Sequence, residues 1–213
     1  RLPLAVDEEV FIVQLHLRAS LLNASFQRQV RVVVGRRLLE QRREQEGQDQ
    51  ALVPASLAVV VNTDDDGGVK GEAEDETVAV TEEQEAEEEL ERCGVMEVHS
   101  APVKSKQRMQ EKVQEYAEEA AADASAEAPA LPLAANILDP VRASVVCQGP
   151  RDILEHARWF MESGKRVGLP VVRVKNKFAT SVDSSQYDGY RDLMLCVLCT
   201  GERGLRVIGE IQL

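Results

Sequence analysis

The chain has 213 residues and a formal net charge of −12, and aromatic residues make up only 4% of it. Its core must therefore be built mainly from aliphatic side chains. Residues 64–92 contain 14 acidic and 2 basic side chains, which accounts for the whole net charge. This segment would repel phosphate groups, which argues against nucleic acid as its partner. No apolar run approaches the ~20 residues of a transmembrane helix, so we expect no membrane span.

The first 44 residues predict a strand followed by a helix. Residues 8–18 form an apolar-rich run that is typical of a strand. Beyond them, apolar side chains from Leu21 to Leu38 recur near helical spacing, and the sequence turns polar near Gln45, where the helix is expected to end.

Residues 45–101 are predicted to be an acidic low-complexity linker without a site of its own. They combine a Glu-rich run with almost no aromatic residues, a composition that favours disorder. Residues 57–61 form the one apolar island, which is compatible with a short strand. Residues 64–68, Asp-Asp-Asp-Gly-Gly, raise the alternative of a calcium loop, but they lack the alternating ligands and the closing Glu of such loops.

Residues 102–213 predict an α/β domain. Apolar side chains at steps of four, three and four indicate one face of a helix over residues 104–121. A second helix begins at Gly149-Pro150, because Pro favours the first helical turn, and ends at Gly164. An Ala/Pro/Glu-rich linker covers residues 121–132, and the predicted strands cover residues 141–147, 171–178, 190–199 and 205–213, with a tight hairpin at 201–204. This order predicts a mixed β-sheet flanked by helices.

Cys196 and Cys199 form a C-x-x-C pair inside a predicted buried strand. Residues three apart on a strand point to opposite faces, so the two sulfur atoms cannot share a metal ion. The chain has no second pair with zinc-like spacing. We therefore expect core thiols and a reducing, cytoplasmic location.

Glu210 and Gln212 lie on the same face of the last predicted strand, because side chains alternate along a strand. Two polar side chains among Val, Ile and Leu fit either a face that lines a pocket or the solvated side of an antiparallel sheet. Periodicity alone favours the solvated side.

Short blocks over about half of the chain resemble, in order, the synthetase module of the RelA/SpoT family. Val103-Lys104-Ser105 followed by Lys112 is similar to the family's basic helix motif, in which two Lys face the triphosphate of ATP. Asp139, before an apolar strand, resembles the family's magnesium-binding Asp.

Three more blocks follow towards the end of the chain. Residues 174–179, which include Lys175, are similar to the family's Lys-Asp-Tyr-Ile-Ala stretch. Gly189-Tyr190 matches its Gly-Tyr, whose ring stacks on guanine, and Glu210-Ile211-Gln212 matches its final Glu-Val-Gln.

The resemblance implies a nucleotidyltransferase fold and a role in guanosine tetraphosphate metabolism, in which pyrophosphate passes from ATP to GDP or GTP. Magnesium would be the cofactor, with Asp139 as its ligand, and Glu210 would be the catalytic base. The residues expected at the nucleotides are Lys104, Lys112, Lys175, Tyr190, Arg191 and Gln212.

Several positions depart from the family pattern. An expected Arg is Ser144, an expected His is Met194, and an expected Asn is Asp188, while the Pro-Lys before the Gly-Tyr is missing. These groups contact the acceptor nucleotide in the family. Two functions therefore stay open: a nucleotide-binding module with weak or absent transferase activity, and a non-catalytic scaffold or protein-interaction module.

An internal repeat suggests a modular chain. Residues 12–15 resemble residues 210–213, which predicts that residues 1–44 are the end of a preceding similar module. Residues 102–213 would then be a RelA/SpoT-like module truncated in its last strand, with neighbouring modules as partners. Because Ile12 occupies the position of Glu210, the preceding copy is expected to be inactive, and its strand over residues 9–17 is expected to compete for or extend one sheet edge.

Overall fold

The structure, a computed structural model, describes residues 4–51, 84–90, 92, 97–122, 132–164, 168–178, 190–201 and 204–213. Besides a helical segment at residues 84–90, its helices are α1 (Leu4–Ala51), α2 (Lys106–Ala122) and α3 (Pro150–Ser163), with a 3₁₀ turn at Leu133–Asn136. Its strands are β1 (Glu97–Ser100), β2 (Val141–Val146), β3 (Val171–Asn176), β4 (Leu193–Thr200) and β5 (Arg206–Gln212). Over these ranges, no helix combines the length and the apolar character that crossing a membrane requires.

The five strands form one mixed sheet in the order β1-β2-β5-β4-β3. β5 lies at the centre, parallel to β2 and antiparallel to β4, and the remaining neighbours are antiparallel. The predicted α/β class with a mixed sheet and helices is confirmed. The predicted helices and strands after residue 102 are observed with ends shifted by at most three residues.

The chain divides into two compact units, residues 1–30 with 95–213, and residues 31–94. The first unit contains the sheet, α2 and α3. Its core side chains from α1 recur at helical spacing, and they are Ile12, Ala19, Leu22, Phe26 and Val30. Ile12 packs against Met109, Ala134 and Ile137.

The strand predicted over residues 8–18 is wrong, because these residues lie within α1. Apolar side chains occur on both sides of this helix, so the run lacks a clear helical period. Ile12 is buried, whereas Val13 and Leu17 are about half exposed, at 45% and 58%. The proposed equivalence of residues 12–15 and 210–213 is also wrong, since one segment is helical and the other is extended.

The sheet edges are β1 and β3, so the edge pairing predicted for residues 9–17 does not occur. β1 lies inside the segment predicted to be a linker, which corrects that prediction for residues 97–100. The division into a preceding module at residues 1–44 and a second module at residues 102–213 stays a prediction. The strand similarity that suggested the preceding module is no longer available to support it.

Gly209 sets how closely α1 approaches the sheet. A Cβ atom at this position would lie 2.5 Å from Cε2 of Phe26 and 2.8 Å from Cγ2 of Val141. Since Phe26 is fully buried, its ring has little room to move. The absence of a side chain at Gly209 therefore allows the aromatic ring to lie directly on the central strand.

The second unit packs part of α1 against a helical segment at residues 84–90. Glu89 is buried and contacts Arg42 at 3.1 Å and Arg92 at 2.6 Å. A Cβ at Gly35 would collide with the backbone of Ala86, so the two helices are in close contact. Disorder was predicted here, and for residues 84–90 that prediction is wrong: Arg42 and Arg43 of α1 form ion pairs with Glu89 and Glu85 of this acidic segment. Residues 52–83, with the apolar island and the Asp-Gly run, and the linker positions 123–131 lie outside the described residues.

Candidate functional site

Phe26 packs on one face of the sheet, and two rows of side chains cross the other face. Residues paired in register on neighbouring strands share a face. The first row is Arg142, Glu210, Cys196 and Arg173, and the second is Ser144, Gln212, Met194 and Lys175. We call the surface formed by these eight side chains the polar face. Glu210 and Gln212 thus lie together at the centre of the sheet, as the alternation predicted.

A short chain of hydrogen bonds fixes the centre of the polar face. Ser144 Oγ donates to Gln212 Oε1 over 3.2 Å, and Gln212 Nε2 donates to Glu210 Oε1 over 2.8 Å. The amide of Gln212 therefore has a defined orientation, with its nitrogen towards the carboxylate. Ser144, at a position where the resemblance had led us to expect Arg, helps to position Gln212.

Burial raises the pKa of Glu210, whose exposed fraction is 6%. The negative charges of Asp139 and, more weakly, Asp192 raise the pKa further, while the hydrogen bond from Gln212 and the charge of Lys177 oppose the shift. Asp139 is thus close enough to act on Glu210 electrostatically. A carboxyl group with a raised pKa is better suited to accept a proton near neutral pH than an ordinary surface Glu.

Lys104 and Asp139 form a largely buried ion pair beside this centre. Lys104 Nζ lies 2.5 Å from Asp139 Oδ2, and the side chains are 6% and 25% exposed. The backbone holds the pair in place, because the Lys104 amide donates to Pro140 O over 2.9 Å. A nitrogen of His16 in α1 also contacts Lys104 O at 3.1 Å. The segment before α2 is therefore tied to the start of β2.

Lys112 is engaged on its own helix. Its Nζ lies 2.6 Å from Glu115 Oε2 and 5.2 Å from the ring centre of Tyr116. The hydrogen bond to Glu115 raises the pKa of Lys112 and lowers that of Glu115. Burial raises the pKa of Tyr116, to which the charge of Asp139 contributes. This face of α2 is therefore near Asp139, but the Lys112 cation is partly neutralised.

Lys177 and Asp192 form a second buried pair, which no sequence pattern indicated as part of the site. Their charged atoms lie 2.9 Å apart, with side chains 11% and 2% exposed. Neither oxygen of Asp192 receives a well-aligned hydrogen bond in the described part of the chain, so the contact is ionic rather than directional. The Lys177 Nζ also lies 5.8 Å from the ring centre of Tyr190.

The remaining predicted site residues lie around the antiparallel pair β3–β4. Lys175 lies on edge strand β3 in the same row as Gln212, and it is exposed. Tyr190 is 58% exposed, and Arg191 beside it is exposed too. The fold therefore brings Asp139, Lys104, Glu210 and Gln212 together, while Lys175 and Arg191 lie at the exposed side. Gly189 and Asp188 fall outside the described residues.

The prediction that Cys196 and Cys199 are core thiols on opposite faces of one strand is confirmed. Cys196 and Cys199 are buried free thiols on opposite faces of β4, and burial raises the pKa of each. Cys199 contacts Gln29 Oε1 at 3.5 Å, whereas Cys196 is paired in register with Glu210.

Glu210 on the polar face and Asp139 beside it form a donor set that fits a hard divalent cation. Carboxylate oxygens are the ligands that Mg²⁺ prefers. Beyond the effect of burial, the negative charge of Asp139 raises the pKa of Glu210, and a divalent cation would offset that repulsion. Asp139 and Glu210 are the residues that could hold Mg²⁺.

Neither a scan of protein-family models nor a search of curated proteins finds a match to this chain.

Proposed function

We propose that the chain is a divergent RelA/SpoT-like module that binds a magnesium-bound nucleoside triphosphate on the polar face and transfers pyrophosphate only slowly. The observation that carries this proposal is the position of Glu210. A buried carboxyl group lies on the central strand, beside Asp139 and its partner Lys104. A sheet with this group at its centre supports the nucleotidyltransferase-like fold that the sequence resemblance implies.

The charges around the polar face support a phosphate ligand. Arg142, Arg173 and Lys175 stand in the two rows, and Lys104 and Lys177 lie at the sides. When bound, Mg²⁺ would neutralise phosphate charge next to Asp139. The exposed ring of Tyr190 is available for stacking on a base.

Glu210 would accept the proton of the acceptor hydroxyl group. In the reaction that the resemblance implies, the 3′-hydroxyl oxygen of GDP or GTP attacks the β-phosphorus of ATP, and AMP leaves. Gln212 holds the Glu210 carboxylate in one orientation through the 2.8 Å hydrogen bond. The raised pKa of Glu210 favours its role as a base near neutral pH.

Two features support slow transfer. Lys104 and Lys112 are paired with Asp139 and Glu115, so each must exchange a carboxylate for phosphate to contact the triphosphate. Ser144 holds Gln212 where the family has a cation, which removes one positive charge from the acceptor side. Binding of ATP is therefore the primary expectation, and transfer to GDP or GTP is a secondary activity.

The proposal is tested by calorimetric titration with ATP in the presence and absence of Mg²⁺. We expect Asp139→Asn to weaken binding of Mg-ATP about tenfold, a loss of about 1.4 kcal/mol. Glu118→Gln provides the matched control, since it neutralises an exposed carboxylate on α2 whose partner is Gln114. Wild-type protein that does not bind Mg-ATP at millimolar concentration would rule out the proposal.

Transfer is measured separately with labelled ATP and either GDP or GTP, separated by thin-layer chromatography. Glu210→Gln should lower a detectable wild-type rate by about 10²–10⁴-fold, the usual effect of losing a general base. An unchanged rate in this variant would contradict the assignment of Glu210 as the base.

A second candidate function is protein interaction through α1, favoured by one specific observation. The helix carries a stripe of exposed apolar side chains at steps of three and four, namely Val10, Val13, Leu17 and Leu21. Leu17→Glu with Leu21→Glu should reduce self-association or partner binding without altering the polar face. Monodisperse wild-type protein of monomer mass at high concentration would argue against self-association.

A further inference from the structure

Three potential metal ligands meet where β2 leads into α3. Cys147 directly follows β2, and Asp152 and His156 lie one helical turn apart on α3. The Cys147 Sγ, a carboxylate oxygen of Asp152 and a ring nitrogen of His156 all lie within 4.8 Å of one another. Residues four apart on a helix share a face, so α3 directs its two ligands to the same side as the thiol.

His156 is fully buried, and its environment defines its tautomer. Its Nδ1 lies 2.9 Å from Asp152 O and 3.3 Å from Asp152 Oδ1. Both neighbours are hydrogen-bond acceptors, so Nδ1 carries the proton and donates it. The lone pair therefore belongs to Nε2, which is buried and has no hydrogen-bond partner within the described ranges.

A buried ring nitrogen without a partner calls for an explanation, because nearly all buried polar groups in proteins are satisfied. Metal-binding His side chains usually donate their second N–H to a carboxylate or a backbone carbonyl. The backbone carbonyl oxygen of Asp152 accepts this hydrogen bond from His156 Nδ1 over 2.9 Å. The Asp152 carboxylate, 3.3 Å from the same nitrogen, would turn away from Nδ1 to bind the metal at Nε2.

We propose that Cys147, Asp152 and His156 bind one zinc ion. Thiolate, imidazole and carboxylate together are the ligand types that zinc accepts in tetrahedral sites. Three protein ligands leave one position for water or an external ligand. Tetrahedral zinc spaces its ligand atoms roughly 3.3–3.8 Å apart, so the three side chains must move closer together on binding. Cys147, at the end of its strand and only partly buried, can supply that movement by rotation about χ1.

A role for Cys147 as a free nucleophile fits less well. Burial and the charge of Asp152 raise the pKa of its thiol to about 11, so the uncoordinated group is protonated at neutral pH. A reactive thiol would need a lowered pKa instead. The proposed zinc site shares no residue with the polar face, so the proposal does not rest on nucleotide binding.

Cobalt substitution tests the site without an activity assay. Protein freed of metal with a chelator is titrated with Co²⁺ and then with Zn²⁺. One equivalent of Co²⁺ should produce the near-ultraviolet thiolate charge-transfer band and the visible bands of tetrahedral cobalt, and Zn²⁺ should displace it. The spectrum of the wild-type protein is sufficient to test the proposal. Absence of the thiolate band would overturn it even if every variant failed to fold.

The variants identify the ligands. Cys147→Ser should abolish the thiolate band, and His156→Asn should weaken Zn²⁺ binding at least as much as the roughly 10–100-fold cost of losing an outer-shell hydrogen bond. Cys196→Ser is the matched control, because this second thiol lies beside the carboxylates Glu210 and Asp139. A band that survives in Cys147→Ser and disappears in Cys196→Ser would assign the cobalt to the polar face and refute the proposal.

Discussion

Lys104 and Asp139, which are 35 positions apart in the chain, meet through a 2.5 Å contact between Nζ and Oδ2. The segment before α2 and the segment before β2 are held together by this ion pair and by the hydrogen bond from the Lys104 amide to Pro140 O. The pair therefore links the structure of the candidate site to the stability of the fold.

Lys104→Met should lower the free energy of unfolding by about 1–3 kcal/mol, because it leaves Asp139 partly buried without its cation. The loss is expected below that of a fully buried pair, since the Asp139 side chain is 25% exposed. The double variant Lys104→Met/Asp139→Asn should recover part of it. Urea unfolding measures all three proteins, and equal stability of the single and double variants would contradict a direct interaction.

Glu210→Gln should change the pH dependence of stability. The pKa of Glu210 in the folded protein is raised above its ordinary value of 4.5, so the folded state retains this proton to higher pH. The contribution of Glu210 to stability is complete below the unfolded pKa and is lost as pH rises through the folded pKa. The Gln side chain does not titrate, so the variant does not lose stability in this way as pH rises. Relative to wild type, it should therefore gain stability as pH rises from about 4.5.

Denaturant unfolding at several pH values tests this expectation. Parallel curves for wild type and Glu210→Gln would show that the carboxyl group titrates alike in both states. A difference that increases in the opposite direction would mean that the charged form of Glu210 is stabilised in the fold.

Lys177→Met should lower the free energy of unfolding by about 3–5 kcal/mol, because it leaves an almost completely buried Asp192 without its cation. This loss is larger than the one expected for Lys104→Met. Adding Asp192→Asn should restore most of the loss. Lys106→Met serves as the control, because it removes an exposed Lys from α2. Thermal unfolding that responds equally to Lys106→Met and Lys177→Met would argue against the buried pair.

Gly209→Ala should cost about 1–3 kcal/mol through overpacking against the Phe26 ring. Gly149→Ala is the matched control: its backbone is extended, at φ −179°, and a Cβ there would meet no atom within 4 Å in the described structure. Combining Gly209→Ala with Phe26→Leu should lose less stability than the sum of the single changes. Additive losses would mean that the two positions are not in contact.

Strong local patterns account for the elements that could be predicted from the sequence. The strands of residues 141–213 were recognised from their branched apolar residues, and α3 from its Pro and its apolar face. α1 could not be recognised at residues 8–18, because exposed Val13 and Leu17 extend the apolar run beyond the buried face of Ile12. The packing of Ile12 against Met109 and Ile137, which are distant in the chain, is not visible in a local window.

The site was predictable only where its residues share one element. Glu210 and Gln212 follow from the alternation of a single strand. The Lys177–Asp192 pair depends on the β3–β4 register, in which Asn176 pairs with Leu193, and neither strand alone indicates it. Asp152 and His156 carry a helical i,i+4 signal, but the approach of Cys147 depends on how β2 leads into α3.

β5 is the one strand that joins the two halves of the described sheet, since β1 with β2 and β3 with β4 form separate antiparallel pairs. In the described sheet, the two pairs are connected through the hydrogen bonds that β2 and β4 each make with β5. Glu210 and Gln212, the centre of the polar face, belong to this same strand. No half-assembled intermediate can therefore present the complete polar face, and any ligand that contacts all three inner strands would stabilise the assembled sheet. Amide exchange in β2 and β4 should slow together when such a ligand binds, because the opening that exposes one strand exposes the other.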